Sequence, residues 1–181
     1  MGSPKQPKKK YSRPFKPWDR KRLDSEKPVM NEFGLKNKRE LWRTASLLRK
    51  FTAQAKRLIA LRGGQAETEK KQLIDKLSSL GVIGKNASLD EVLGLTVKDF
   101  LSRRLQTIVF KKNFSRSIRQ SRQFISHRHV KVGDKVITSP SYIVPSSIEG
   151  QVVFVEGSTL SKPDHPERAV KEVKEVPDAE E

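Results

Sequence analysis

Between Ser115 and Tyr142 the chain reads SRSIRQSRQFISHRHVKVGDKVITSPSY. Arg116, Arg119, Arg122 and Arg128 recur there, with Gln120, Gln123, His127, His129 and Lys131 among them. From Arg103 to Lys135 there are ten Lys or Arg and one acid, Asp134. The chemistry shared by these side chains is hydrogen-bond donation from positive charge, which suits phosphate oxygens. General acid–base chemistry would need a carboxylate pair, or a histidine facing a carboxylate in a cleft. Asp134, in an expected turn, supplies neither, so no catalytic residue is predicted. His127 and His129 as metal ligands would need partners, but the chain has one further histidine, His165, and no cysteine. No metal and no cofactor is predicted.

The elements that must position these residues follow from periodicity. Thr96 and Asp99 open a helix whose inner face carries Val97, Leu101, Leu105 and Ile108. Arg104 falls inside that apolar arc, where its head is expected to snorkel out or turn toward a phosphate. Lys111-Lys112-Asn113 makes a turn, and Ser115 is read as the cap of a second helix running to about His127. At about 100° per residue, Phe114, Ile118, Ser121, Phe124 and Ile125 share one side of it. Arg116, Arg119, Gln120, Gln123 and His127 share the other, beside Arg103, Lys111 and Lys112, and the helix N-terminus adds N–H donors suited to phosphate. Beyond His129 the period becomes that of strands. Val130, Val132 and Val136 flank a tight turn at Gly133-Asp134, and Ile143-Val144 and Val152–Val155 are further short strands.

Upstream, residues 37–95 read as a helical subdomain. Asn37 with Glu40 is a capping-box pattern opening a helix that ends near Gly63-Gly64. A second helix spans about 66–80, stopped by Gly81, and Ser88–Glu91 opens a short third. Residues 1–36 read as an extended basic arm, because Pro4, Pro7, Pro14, Pro17 and Pro28 oppose helix formation. Tyr11, Phe15 and Trp18 sit among its cations, either to stack on unpaired bases or to anchor the arm to the body. The segment 158–181 is acidic and poor in large apolar residues, and is expected to be a disordered tail.

Composition narrows the partner. The chain has 181 residues and a formal net charge of +17, with 38 Lys+Arg against 21 Asp+Glu. A compact body so charged repels itself unless a polyanion binds it, which points to nucleic acid, with an anionic membrane as the rival. No apolar run approaches membrane-spanning length and no apolar segment follows the basic N-terminus, so neither a membrane span nor a secretory signal is expected. Apolar residues form 34% of the chain, so the core must be small. The fold class expected is α+β. It comprises a helical subdomain, then a helix-turn-helix module over 96–157 with a small, mainly antiparallel sheet, between the basic arm and the acidic tail.

Three stretches, VKDFLSRRLQTIVFK (97–111), SRSIRQSRQFISHRHVKV (115–132) and SPSYIV (139–144), resemble the S-four family of small-subunit ribosomal proteins. EFGLKNKRELWR, at 32–43, extends the resemblance upstream, so that it covers about 10–155 and leans to the archaeal branch. It departs in having Arg128 between the histidines and Gly133-Asp134 in the hairpin, where many relatives have Gly and Asn-Gly. The resemblance implies a non-enzymatic, cytoplasmic ribosome component. It implies direct binding to small-subunit rRNA at a helix junction of the 5′ domain, early in assembly. It also implies contact with a neighbouring ribosomal protein that bears on decoding accuracy, and neither a small-molecule substrate nor a membrane partner. The residues expected to touch RNA are Arg103, Arg104, Lys111, Lys112, Ser115, Arg116, Arg119, Gln120, Arg122, Gln123, His127, Arg128, His129 and Lys131 in the module. Lys8, Lys9, Lys10, Arg13, Lys16, Trp18, Arg20, Lys21 and Arg22 in the arm, and Lys38, Arg39 and Arg43 beyond it, complete the set. Two alternatives stay open: an RNA-modifying enzyme bearing the same module, and a non-ribosomal RNA-binding assembly or stress factor.

Overall fold

Alternating valines after His129 need a second layer to cover one face of their strands, and the helices before them supply it. A computed structural model describes residues 2, 11–84, 87–162 and 165–167. Lys8, Lys9 and Lys10, and the acidic tail beyond Glu167, lie outside the described residues. Helices α1 (Arg20–Glu32), α2 (Lys38–Ala60), α3 (Gly64–Ser79) and α4 (Leu89–Gly94) precede α5 (Val97–Ser102), α6 (Leu105–Lys111) and α7 (Ile118–Ser126). Strands β1 (Val130–Val132), β2 (Lys135–Val136) and β3 (Val152–Phe154) form an antiparallel sheet in the order β2-β1-β3. The class is α+β, as the periodicity requires.

Val132 pairs with Lys135, so Gly133-Asp134 is a two-residue turn, with Gly133 at φ +58°. Val130 faces Phe154 and Val132 faces Val152 across the β1–β3 pair. These four residues close over Leu105, Ile108, Val109, Phe124 and Ile125 from α6 and α7. A second cluster fills the helical subdomain, where Phe51, Ala55 and Leu58 of α2 meet Leu73 and Leu77 of α3, Val92 of α4 and Phe100 of α5. The Phe51 and Phe100 rings stack at 5.7 Å. Ser88 and Glu91 form the expected capping box of α4, and Thr96 N–H donates to Asp99 Oδ2 at 2.7 Å to start α5.

Four expectations are corrected. The second half of the arm is helical, not extended: α1 contains Pro28. Proline propensity is overridden because Val29 and Met30 pack against a third cluster of Phe33, Leu35, Leu41 and Leu101, and Arg22 pairs with Glu26 at 2.6 Å. The helix expected from Thr96 onward is two, broken at Arg103-Arg104. There the backbone leaves the helix and bonds to residues 140–144, through Leu105 N–H to Tyr142 O at 2.7 Å and Val144 N–H to Arg103 O at 3.0 Å. The strand expected at Ile143-Val144 is a single bridge from Ile143 to Arg104 onto this break. Finally, the chain does not leave the body at Ser158. A 3-10 turn over Thr159–Ser161 buries Leu160 in the module core.

Gly34 locks the arm, α6 and α7 together. It sits at φ +56°, and its carbonyl accepts from the buried Gln106 Nε2 at 3.1 Å, which also donates to Ile118 O. A Cβ there would lie 2.7 Å from Ile118 Cγ2. Gly34→Ala therefore combines a left-handed backbone with overpacking, and is expected to lower stability by about 2–4 kcal/mol in urea unfolding. A loss under about 0.5 kcal/mol, the range of neutral surface changes, would show that this junction yields freely.

Candidate nucleic-acid interface

Helix α7 starts because Ser117, not Ser115, is its N-cap: Ser117 Oγ accepts from Gln120 N–H at 3.2 Å. Ser115 is buried and pairs with Ser121 Oγ, so the cap expected at Ser115 lies two residues further on and Ser115 faces inward. The helix ends with His129 N–H on Phe124 O at 3.0 Å and Arg128 N–H on Ile125 O at 3.1 Å. Arg128 takes φ +65°. That is the left-handed C-terminal position glycine usually fills, so the Arg at this site keeps the backbone that a Gly would adopt. It also turns a guanidinium out beside His127, whose ring lies 6.3 Å from His129 and nearly parallel to it.

The amphipathic split of α7 is as the periodicity predicts. Ser121, Phe124 and Ile125 are buried, while Arg116, Arg119, Gln123 and His127 are exposed. Lys111 joins them from the end of α6. No Asp or Glu occurs between Asp99 and Asp134, so no carboxylate of α6, the turn or α7 neutralises this face. At one edge, Arg116 donates to the Pro166 carbonyl and Gln120 Nε2 to the Glu167 carbonyl at 3.3 Å. At the other, His129 Nδ1 meets Ser158 Oγ at 2.8 Å, and Lys131 pairs with the exposed Glu156 at 2.6 Å.

Other cations of the predicted set point inward. Arg104 is buried, with 4% of its side chain exposed, and its Nη2 lies 2.7 Å from Glu40 Oε2. It neither snorkels nor reaches the surface. Arg122 closes on the same carboxylate, with Nη2 2.7 Å from Oε1 and Nη1 3.2 Å from Oε2. Glu40 was expected to complete the Asn37 cap. Its side chain turns to the two arginines instead, and Asn37 makes no side-chain cap bond. Burial by itself would raise the Glu40 carboxyl, but the hydrogen bonds from Arg122 and Arg104 outweigh it and hold the group below the usual carboxylate range. Arg103 donates to Leu80 O at 3.0 Å and pairs with Glu149 at 2.8 Å, filling the space that Gly81, at φ +68°, leaves open. Lys112 Nζ donates to Glu149 O at 2.5 Å.

In the arm, Arg13, Lys16, Trp18, Arg20 and Lys21 are exposed, as are Arg39 and Arg43 on α2. Arg22 and Lys38 converge on Glu26, which also accepts from Trp42 Nε1 at 3.1 Å. Glu40 is the residue that sequence reasoning missed. The signal was there, a single acid inside KNKRELWR, but the capping-box pattern explained it first. Among the described residues no three His, Cys, Asp or Glu side chains gather as a metal site, and no helix is long and apolar enough to cross a membrane.

An acid-free donor face on a short helix pair is the electrostatic footprint of nucleic-acid binding. The S4 domain model matches residues 103–153, and the model of the ribosomal protein S4/S9 N-terminal domain matches residues 4–102. The small ribosomal subunit protein uS4 of Picrophilus torridus is 45% identical over 93% of this chain and 93% of its own. The uS4 proteins of Ignicoccus hospitalis and Nanoarchaeum equitans are 46% and 44% identical, over 90% and 93% of this chain and 98% and 95% of theirs. The chain belongs to the uS4 family of small ribosomal subunit proteins, which are structural components of the cytoplasmic ribosome and not enzymes. The relatives named are archaeal, the branch the sequence resemblance favoured.

Glu40→Gln leaves the buried Arg104 without a counter-charge, and is expected to cost about 3–5 kcal/mol in urea unfolding at neutral pH. The folded carboxyl is depressed, so its contribution is fully present above the unfolded value, about 4.3, and is lost as pH falls through the folded value. The parent should therefore lose stability over that acidic window and the Gln variant should lose less. Parallel pH profiles would sink the assignment of Glu40 as the linked group.

Proposed function

We propose that the chain binds small-subunit ribosomal RNA directly, at a helix junction of the 5′ domain and early in subunit assembly. The observation that carries this reading is the acid-free face of α7 and its flanking turns, where Lys111, Arg119, Gln123, His127 and Arg128 stand in solvent. These cations neutralise closely spaced phosphates and release counterions, which supplies much of the affinity. Specificity comes from shape, because side chains cannot read the deep A-form major groove. The inward cations Arg103, Arg104, Lys112 and Arg122 act from behind, by fixing the outline that the RNA meets.

In this reading 1–36 is a second cationic track, through Arg13, Lys16, Arg20 and Lys21. Residues 37–95 are the helical support and 96–157 the RNA module, whose core Leu160 extends before the acidic tail begins. The partners are small-subunit rRNA and a neighbouring small-subunit protein, through which the chain influences decoding accuracy. No small molecule, cofactor or membrane takes part. Membership of a family of small ribosomal subunit proteins and the one-signed face support this reading together.

The test is a salt titration of binding to the 5′ domain beside an unrelated folded RNA of equal length. The ribosomal RNA should stay bound at a salt concentration that strips the control, and simultaneous release of both would overturn the specific site. Arg119→Ala should weaken binding and flatten the salt slope by about 0.7–0.9, the share of one phosphate contact. An unchanged slope would remove Arg119 from the contact set.

A further inference from the structure

Two large aromatic side chains stand in water three residues apart, on the segment that precedes α1. Phe15 is 97% exposed and Trp18 88% exposed, more than any other large apolar residue among those described. The arm does not need Trp18 as an anchor, because other groups hold it. Tyr11 packs on Trp42 with ring centroids 6.4 Å apart. Ser12 N–H donates to Ser46 Oγ at 3.1 Å, and Arg49 Nη1 to Ser12 Oγ at 2.9 Å. Arg22 Nη2 grips the backbone just before Trp18, at Pro17 O (2.8 Å) and Lys16 O (3.3 Å). Trp18 is thus presented by a fixed backbone and not buried by it.

Between this segment and α2 lies a pocket of about 520 Å³, lined by Trp18 and Trp42, by Pro14 and Pro17, and by the cations Arg13 and Arg39. Its size is that of a small-ligand site, generally about 300–1,000 Å³. Glu26 of α1, partly buried, is already taken up by Arg22, Lys38 and Trp42. Aromatic walls thus meet a positively charged rim to which the exposed Arg13 and Arg39 contribute.

We propose that this pocket takes one unpaired nucleobase of RNA, stacked between Trp18 and Trp42, with the flanking phosphates on the cationic rim. Stacking on an aromatic face accepts any base, and the surrounding Arg and Lys fit the backbone on either side. A wholly apolar partner would leave that rim unpaired. The site is separate from α7. It rests on the RNA-binding reading but adds a different contact, to a base outside any duplex, made by the arm and not by the S4 module.

The chain has two tryptophans, and both line this pocket. Intrinsic tryptophan fluorescence of the full chain therefore comes only from residues that line this pocket. Titration with an oligouridylate of about eight nucleotides, within single-strand site sizes, should quench it. A duplex with the same number of phosphates should not. Trp18→Ala, at a position too exposed to support the fold, should weaken single-strand binding about tenfold, and Trp18→Phe should recover most of that loss. Equal quenching by the duplex, or unchanged single-strand affinity in Trp18→Ala, would overturn the inference. The two readings fail separately. Tight, salt-dependent binding to the 5′ domain without quenching removes only the base pocket, whereas absence of binding to the 5′ domain removes both.

Discussion

The carboxylate of Glu40 holds the two halves of this protein in one arrangement. It stands on the first turn of α2 and receives Arg104, from the break between α5 and α6, and Arg122, from the middle of α7. Two guanidiniums on one carboxylate leave a net positive charge in a half-buried site, and two arginines side by side repel each other. The arrangement stands because each oxygen of Glu40 has a charge-assisted bond and because Arg122 leans also on Gln106. Gln106 in turn reaches Gly34 and Ile118, so the arm, α2, α6 and α7 meet within one polar network.

That network divides the cations of the chain into two populations. Arg103, Arg104, Lys112 and Arg122 are engaged with carboxylates or carbonyls of the protein itself and set the spacing of its elements. Lys111, Arg119, His127 and Arg128 are left in solvent. The net charge of +17 counts the pairs on Glu40 and Glu149 as partly cancelled, so the cations that meet a partner are fewer than the chain's Lys and Arg in number. On the face of α6 and α7 they stand without an acid from those elements, and there they keep a long-range field for a polyanion.

The helix-turn-helix is short, and short helices are weak alone. Its rigidity comes from tertiary contacts at each end. The α5–α6 break is tied into residues 140–144, the sheet closes over α6 and α7, and Leu160 covers the same core from beyond the last strand. The left-handed Arg128 is supported the same way, by the two helix-end hydrogen bonds and by the buried Val130 that follows. The module therefore holds an exposed arginine in a backbone conformation that disfavours it, at a helix end flanked by two histidines.

Local order was legible in the sequence. The capping boxes at Ser88 and Thr96, the amphipathic split of α7, the alternating valines and the Gly133-Asp134 turn depend on residues within a few positions of one another, where pattern and chemistry coincide. So was the class of partner, because charge sign and the absence of cysteine and paired acids are properties of composition. What the sequence could not give was how each charge is used. Glu40 reads as a cap by its distance from Asn37, yet 64 and 82 residues separate it from the arginines that claim it. Pro28 reads as a breaker, yet packing of Val29 and Met30 keeps α1 helical. Arg104 reads as a surface cation and is buried. These outcomes are decided by which surfaces the folded chain brings together, since desolvation and pairing energies depend on distance in space and a linear pattern carries only distance along the chain.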